Sequence, residues 1–289
     1  MSEMPRTPAA PARKAIRMTM RIVRGAIVIV VCFLFMFPLL IVLLTALQPE
    51  GDILNRGIAA VPEHLTLDNF PGTWNDGALS SYYRNSMLIL CVKVPLGILI
   101  STLAAYPIAH LRYRLRRPIF VLLLLGLGFP VIVALYPLLQ LLRQMGLGGS
   151  LWVLLPPYIA FGIPFEVLVM RGAFASVPYE MIEAGRVDGA SEFRIWARLC
   201  LPLVLPAVAS LAILDAVSTW NEFVMALILI ANQSDQTLPL GLLNLQGQFT
   251  SNYSELASGI ILGILPMVVL FLVARRWLVR GIATGAVKG

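Results

Sequence analysis

Residues 176–206 read SVPYEMIEAGRVDGASEFRIWARLCLPLVLP, and this stretch decides how the whole chain is interpreted. It is the longest polar interruption in the second half of an otherwise apolar sequence, and it lies between two long hydrophobic runs. Charged side chains of both signs fall within it: Glu180, Glu183, Asp188 and Glu192 against Arg186, Arg194 and Arg198. Such a segment is predicted to lie outside the apolar layer that its flanking runs occupy.

The local sequence of this stretch predicts two helices joined by a glycine turn. Ser176 can cap a helix over 179–187, and Pro178 is tolerated in the first turn, where its missing N–H costs little. Gly189 is the residue at which the backbone turns most easily after that helix. Ser191 can cap a second helix, which prolines kink as it becomes apolar (Pro202 and Pro206).

The composition indicates an all-α membrane protein. Hydrophobic residues make up 58% of the 289 residues and charged residues only 13%, which excludes an ordinary soluble domain. A helix needs about 20 apolar residues to cross a bilayer. Six runs meet or approach that length and leave no room for a second folded domain: 26–47, 86–109, 118–142, 151–170, 203–230 and 257–274.

The placement of the basic residues, which give a net charge of +7, predicts the topology. Lys and Arg cluster before the first run, after the second, within 176–206 and after the sixth, whereas the alternate loops hold few. By the positive-inside rule both termini and the 176–206 stretch are cytoplasmic, so the basic balance does not indicate nucleic-acid binding. The Pro/Ala/Arg-rich residues 1–21 are predicted to be disordered, within a cytoplasmic tail of 1–25 that precedes an uncleaved first span.

The 176–206 stretch resembles the EAA loop of permease subunits in bacterial ABC importers. Glu183, Ala184 and Gly185 stand where that family has E-A-A, so glycine replaces the third alanine. The D-G-A and L-P…P segments of the family pattern are also present, as Asp188, Gly189 and Ala190 and as Leu201, Pro202 and Pro206. The open alternative is an amphipathic helix that rests on the membrane surface.

This resemblance implies a carbohydrate-type permease with the type I ABC importer fold. It implies a six-helix domain over 26–280, a coupling loop at 176–202 and a cytoplasmic tail at 281–289. In that family the loop docks on a separate ATPase, so ATP and Mg belong to the partner and no cofactor is expected on this chain. A second six-helix permease and an extracytoplasmic solute-binding protein are the other implied partners, in a bacterial inner membrane. The implied coupling residues are Glu180, Glu183, Ala184, Gly185, Asp188, Gly189 and Ala190.

A stripe of polar residues lies within the fifth apolar run, 203–230. Its members recur every three or four residues and so share one face of a helix, with one amide beside them: Asp215, Ser218, Thr219 and Glu222, and Asn221. Acidic groups are costly at membrane depth and usually face a bundle interior or a wet cavity, so we predict that the stripe lines a solute path. A seam that joins helices by hydrogen bonds is the alternative.

Two isolated charges lie in other apolar runs. Lys93 lies about two turns into the second run, and we favour an interpretation in which its ammonium snorkels to the outer headgroups over one in which it lines the pathway. Glu166 lies in the fourth run, where it is predicted to pair with Arg171 or to face the 176–206 stretch.

The loop 231–256 is rich in Asn, Gln and Ser. In the resembling subgroup the corresponding loop reaches toward the solute-binding protein, which implies contacts from Gln246, Gln248 and Tyr253. A plain solvated loop is the alternative. Three shorter matches extend the resemblance over nearly all of 26–289: WNEF at 220–223, TLPLG at 237–241 and GIATGAVKG at 281–289.

The sequence carries no motif for chemistry of its own. The phosphate-binding pattern G-x-x-x-x-G-K-[ST] is missing, as are H-E-x-x-H and G-x-S-x-G, and the three cysteines lack metal-site spacing. We therefore expect no catalytic or metal site. The leading hypothesis is one half of the pathway of an ATP-driven importer for a sugar or sugar-like solute. A stand-alone secondary transporter or channel is the alternative and predicts repeats or deep charges in several helices. A membrane scaffold would leave the carboxylates of the stripe unexplained.

Overall fold

The computed structural model describes residues 10–58, 60–75, 79–245 and 252–286, and side chains between 18 and 275 in those ranges. Within them the chain is helical and no β-strand is present. Four helices are long and apolar enough to cross a membrane, and two bent helix pairs bring the number of spans to six if each pair is one span. The predicted all-α architecture is confirmed, with four to six spans.

The α-helical segments of the described residues follow one another through short connections. In chain order they are α1 (Ala10–Ala46), α2 (Glu50–Arg56), α3 (Asn69–Asn75), α4 (Leu79–His110), α5 (Arg116–Leu127), α6 (Val131–Gln144), α7 (Leu155–Ala175), α8 (Tyr179–Val187), α9 (Glu192–Ile195), α10 (Leu201–Leu203), α11 (Leu205–Trp220), α12 (Val224–Leu229), α13 (Leu238–Gly241) and α14 (Tyr253–Ala286). A π turn, Trp196–Cys200, joins α9 to α10, so helical backbone runs through Glu192–Leu203.

The first span corrects the prediction of a disordered tail, because α1 already begins at Ala10. Residues 10–21 are mostly Ala, Arg, Lys and Met, which are strong helix formers, so the helix of the apolar run extends back through them. Residues 1–9 lie outside the described part. Most apolar side chains of Met18–Ala46 are exposed, as those of a lipid-facing helix are.

Prolines divide the third and fifth spans. α5 and α6 meet at 102° across 128–130, and Glu192–Leu203 meets α11 at 79°. Pro130 immediately precedes α6, and Pro206 lies in the first turn of α11. A proline has no N–H to donate and clashes with the preceding turn, so it suits the start of a helix and ends the one before it. The kink that the sequence predicts at Pro206 is therefore a full break, and the third span breaks in the same way before α6.

Short helices cover one end of the bundle. The segment 48–85, between the first two spans, contains α2 and α3. Hydrogen bonds tie this segment to the start of α14: Thr73 Oγ1 lies 2.9 Å from Ser258 Oγ, and the Ser254 hydroxyl donates to the carbonyl oxygen of Gln48 at 2.8 Å. At the centre of the bundle α4, α7 and α11 pack against one another, and these three helices position the polar site.

Candidate functional site

A cavity of about 380 Å³ opens between α4, α6, α7 and the fifth span. α6 and α12 contribute apolar side chains to its wall. The polar members of the wall are Lys93, Tyr158, Asp215, Ser218, Thr219 and Glu222. The structure therefore brings the four spaced residues of the predicted stripe to one cavity and adds a lysine and a tyrosine from other helices.

Lys93 is buried, which corrects the prediction that it snorkels. Its side chain is only 3% exposed, and its ammonium forms ion pairs with Asp215 and, at 3.2 Å, with Glu166 Oε1. The other Glu166 oxygen accepts a hydrogen bond of 2.6 Å from the Ser101 hydroxyl. Glu166 therefore pairs with Lys93 rather than with Arg171, because α7 turns it inward toward α4. A buried cation needs such partners, since an isolated charge in an apolar interior is very costly.

Two glycines make room for this ion cluster. A Cβ on Gly162, one helical turn before Glu166, would lie 2.7 Å from Glu166 Oε1 and 3.1 Å from Lys93 Nζ. A Cβ on Gly97 of α4 would lie 3.2 Å from both Glu166 carboxylate oxygens. The first distance is shorter than Cβ atoms approach other atoms in real structures, so only glycine at 162 lets the carboxylate reach the lysine without displacement.

Glu222 lies in a break of the fifth span, which the predicted single helix over 203–230 did not include. α11 ends at Trp220, and Glu222 stands just before α12. Its carboxylate accepts hydrogen bonds from the backbone N–H of Met225 at 2.7 Å and of Ala226 at 3.2 Å, and a further one from the Tyr158 hydroxyl. The N–H groups in the first turn of a helix have no carbonyl partner within that helix, so Glu222 caps the N-terminus of α12.

Ser218 and Thr219 reach the cavity from α11, whereas Asn221 is not part of its wall. The Asn221 amide donates to the carbonyl oxygen of Val217 at 2.8 Å, so it serves the end of its own helix. Among the described residues no hydrogen bond involves the hydroxyl of Ser218 or of Thr219. These hydroxyls can therefore donate to, and accept from, another molecule.

The 176–206 stretch folds as the predicted helix, glycine turn and second helix. α8 covers Tyr179–Val187, and the Ser191 hydroxyl accepts the N–H of Arg194 at 3.4 Å, as a cap does. The expected cap at Ser176 is wrong: its hydroxyl donates back to the carbonyl oxygen of Ala173 at 2.7 Å. Ser176 lies one position past the end of α7, so the orphan carbonyls of that helix are its nearest partners.

α8 is anchored by one side and exposes the other. Ile182 is fully buried in the same apolar cluster as Trp196 and Phe174. Of the implied coupling positions that carry a side chain, four are exposed: Glu180, Glu183, Ala184 and Asp188. No ion pair or hydrogen bond occupies the three carboxylates within the described residues. Ala190 is half-buried and packs against the same cluster as Ile182. A short helix with free carboxylates on its outer face is suited to docking on another protein.

Glycine is favoured at positions 185 and 189 of the coupling stretch for two different physical reasons. Gly189 has φ of +77°, a conformation that other residues adopt only with strain. Gly185 replaces the alanine of the family pattern, and a Cβ there would lie 3.3 Å from Ile195 Cγ1. Ile195 is itself buried, so α8 lies closer to the second helix than an alanine comfortably allows.

Hydrogen bonds of Glu192 connect the 176–206 stretch to the second span. The Glu192 carboxylate accepts a hydrogen bond of 2.7 Å from Arg186 Nε and another of 2.7 Å from the Tyr106 hydroxyl of α4. The hydrogen bond to Glu192 raises the pKa of Arg186 above its ordinary value, which reflects how well the carboxylate stabilises the guanidinium. Nearby, the His110 ring nitrogen Nε2 lies 2.8 Å from the carbonyl oxygen of Phe174.

The implied contacts to a solute-binding protein fall mostly outside the described part of the chain, since Gln246 and Gln248 lie there. Tyr253 is the first residue of α14, and 39% of its surface is exposed.

These features define a class of protein. A helical bundle with up to six spans, a polar cavity at its centre and an exposed docking helix between two spans is suited to a membrane transport subunit that works with partners. Residues 97–283 match the family described as binding-protein-dependent transport system inner membrane component, and the chain belongs to this family.

Relatives and solved structures agree with this assignment. The arabinooligosaccharides transport system permease protein AraQ of Halalkalibacterium halodurans is 33% identical over 263 residues, 90% of this chain and 93% of AraQ. The melibiose/raffinose/stachyose import permease protein MelC of Bacillus subtilis is 31% identical over 278 residues, 96% of this chain and 100% of MelC.

The fold also matches a bacterial ABC transporter involved in the import of the acidic polysaccharide alginate, with TM-score 0.80 at 19% identity over 94% of this chain and 99% of that chain. A bacterial alginate ABC transporter in complex with a periplasmic protein bound to alginate pentasaccharide matches with TM-score 0.68 at 16% identity, over 90% of this chain and 94% of that one. The predicted permease fold is confirmed, and the stand-alone transporter or channel is set aside.

Proposed function

We propose that this chain forms half of the translocation pathway of an ATP-driven importer for a sugar or sugar-like solute. The observation that carries the proposal is the cavity of about 380 Å³ whose wall brings Asp215, Ser218, Thr219 and Glu222 together in a member of a binding-protein-dependent transport family. The names of AraQ and MelC, both oligosaccharide transport proteins, support a sugar as the solute.

The cavity suits a solute that carries many hydroxyl groups. Such a solute must replace its hydration by hydrogen bonds when it leaves water, and the cavity offers both donors and acceptors. Apolar side chains from α6 and α12, with Phe161 of α7, form much of the rest of the wall.

The coupling partner is a separate ATPase that binds ATP with Mg. The exposed carboxylates of α8, with Glu183 foremost, would enter a cleft on that ATPase, and the turn at Gly189 would present them. Movement of α8 would then pass through the following helix to α11 and rock the bundle between inward-facing and outward-facing states.

The remaining partners complete the assembly. A second permease with six spans would supply the other half of the pathway, and a solute-binding protein would dock near the start of α14, where Tyr253 is exposed, and on the loop of Gln246 and Gln248. The chain would cross the bacterial inner membrane with both termini in the cytoplasm.

Replacing Glu183 by alanine tests the docking role. The variant should insert normally but retain less ATPase on purification, because losing a contact to a charged group costs about 1.5–3 kcal/mol. Glu63→Ala is the matched control, since Glu63 is also exposed but lies in the 48–85 segment, where it pairs with Arg56 at 2.8 Å. Wild-type ATPase retention and transport in Glu183→Ala would contradict the proposal.

A further inference from the structure

The ionisable groups around the cavity give it a negative formal charge. Lys93 is the one cation of its wall among the described residues. Three carboxylates oppose it: those of Asp215 and Glu222 in the wall, and that of Glu166, which lies outside the wall but 3.2 Å from the Lys93 ammonium. One cation and three carboxylates leave a formal charge of −2, and a proton held within the ion cluster would reduce this only to −1. α6 and α12, which close the other sides, contribute apolar groups.

The cation cannot turn toward a solute. The Lys93 ammonium is already paired with both Glu166 and Asp215, and its side chain is 3% exposed. An anionic solute would have to take the lysine away from two buried carboxylates, which would leave them unpaired in an apolar interior. The lysine therefore balances charge within the wall and does not act as an anion-binding group.

The groups that remain for a solute are the hydroxyls of Ser218 and Thr219. Both oxygens of Glu222 are occupied by the α12 backbone and Tyr158. Asp215 Oδ2 has no hydrogen-bond partner among the described residues, but this oxygen is itself buried and does not face a solute. The hydroxyls of Ser218 and Thr219 can both donate to and accept from the hydroxyl groups of a neutral solute.

We infer that this half of the pathway admits neutral solutes rich in hydroxyl groups and disfavours anionic ones, such as sugars that carry a phosphate, a sulfonate or a carboxylate. The inference rests on the proposed function, because it specifies the solute class of the same cavity. A cavity of one sign lined by apolar walls concentrates ions of the opposite sign and repels those of its own.

Rates of thiol modification inside the cavity measure its potential directly. Ser218→Cys, and separately Thr219→Cys, are placed in a chain whose Cys32, Cys91 and Cys200 are replaced by alanine, within the assembled transporter in open membranes. Methanethiosulfonate reagents that carry a trimethylammonium, a hydroxyl or a sulfonate group are applied with and without ATP. The rate at which each reagent modifies the cysteine is divided by its rate with a free thiol in solution, which gives a corrected rate.

We expect the cationic reagent to react fastest and the anionic reagent slowest, with corrected rates that differ at least about tenfold. Asp215→Asn in the Ser218→Cys chain should narrow that difference several-fold. Leu115→Cys, which lies among the arginines of 112–117, is the matched control and should show the opposite order.

The outcomes separate this inference from the proposed function. If all three reagents react at 218 or 219 but the sulfonate reagent is as fast as the others, the charge selectivity is wrong and the pathway stands. If no reagent reacts at either position in either nucleotide state, the residues form a closed helix–helix seam, and the pathway and its selectivity are both overturned.

Discussion

The Tyr106 hydroxyl donates a hydrogen bond of 2.7 Å to the Glu192 carboxylate, although the two residues are 86 positions apart in the sequence. Tyr106 is buried in the second span, whereas Glu192 begins the helix that follows the coupling turn and also holds Arg186 of α8. This contact links the coupling stretch directly to the second span.

We predict that removing this contact loosens the coupling stretch. Tyr106→Phe keeps the ring and removes one hydrogen bond, so the stability of the purified complex should fall by about 0.5–1.5 kcal/mol. Glu192→Ala removes both hydrogen bonds and should cost more, and the double variant should lose less than the sum of the two. Thermal unfolding of the complex measures these changes.

Tyr113→Phe is the control for this experiment, because Tyr113 lies in the next loop and donates no hydrogen bond within the described residues. Strictly additive losses in the double variant would mean that Tyr106 and Glu192 do not act together.

The buried lysine provides a second prediction. Lys93→Met should lower stability by about 3–5 kcal/mol, because it leaves the carboxylates of Glu166 and Asp215 without their cation. Neutralising those partners in the same chain, by Glu166→Gln and Asp215→Asn, should restore most of the folded protein. The yield of folded transporter in detergent measures both effects.

Arg84→Met offers a matched comparison, because Arg84 is an exposed cation on the same helix. Equal yields of Lys93→Met and Arg84→Met would show that the ion cluster does not hold the bundle together.

Gly162, which makes room for the ion cluster of Lys93, Glu166 and Asp215, provides a third prediction. Gly162→Ala should destabilise the protein by about 1–3 kcal/mol, since the new methyl group would displace the Glu166 carboxylate from Lys93. Gly172→Ala on the same helix should be neutral or slightly stabilising, because nothing lies within 4 Å of its Cβ and alanine favours a helix. Thermal unfolding of the two variants compares them, and similar midpoints would contradict the close packing at Gly162.

Topology provides a fourth prediction. In a chain without other cysteines, Leu65→Cys should react with a membrane-impermeant thiol reagent in intact cells, whereas Leu115→Cys should react only after the cells are opened. The two leucines are a matched pair, at 70% and 59% exposure, in loops on opposite sides of the second span. Labelling at position 115 in intact cells would reverse the proposed orientation.

The sequence by itself determined the features of the fold that depend only on residues close together in the chain. The length of the apolar runs fixed the spans, and the order of Pro178, Gly189 and Ser191 predicted α8, the turn and the start of the next helix. These signals are local, because capping, backbone conformation and hydrophobic length act within a few residues. Ser176 shows the limit of local signals, since its hydroxyl serves the helix before it rather than the helix after it.

Only the tertiary structure decided which partners the buried charges have. Lys93 and Asp215 are 122 positions apart, and nothing in the spacing of either residue identifies the other. Opposite charges in separate apolar runs were a signal that pairing was required, but the choice of partner depends on how α4, α7 and α11 pack. The role of Glu222 as a helix cap was also decided by the tertiary structure, because the fifth span breaks before α12. A buried charge must be neutralised by whichever group the fold brings to it, and that group is set by packing rather than by position in the chain.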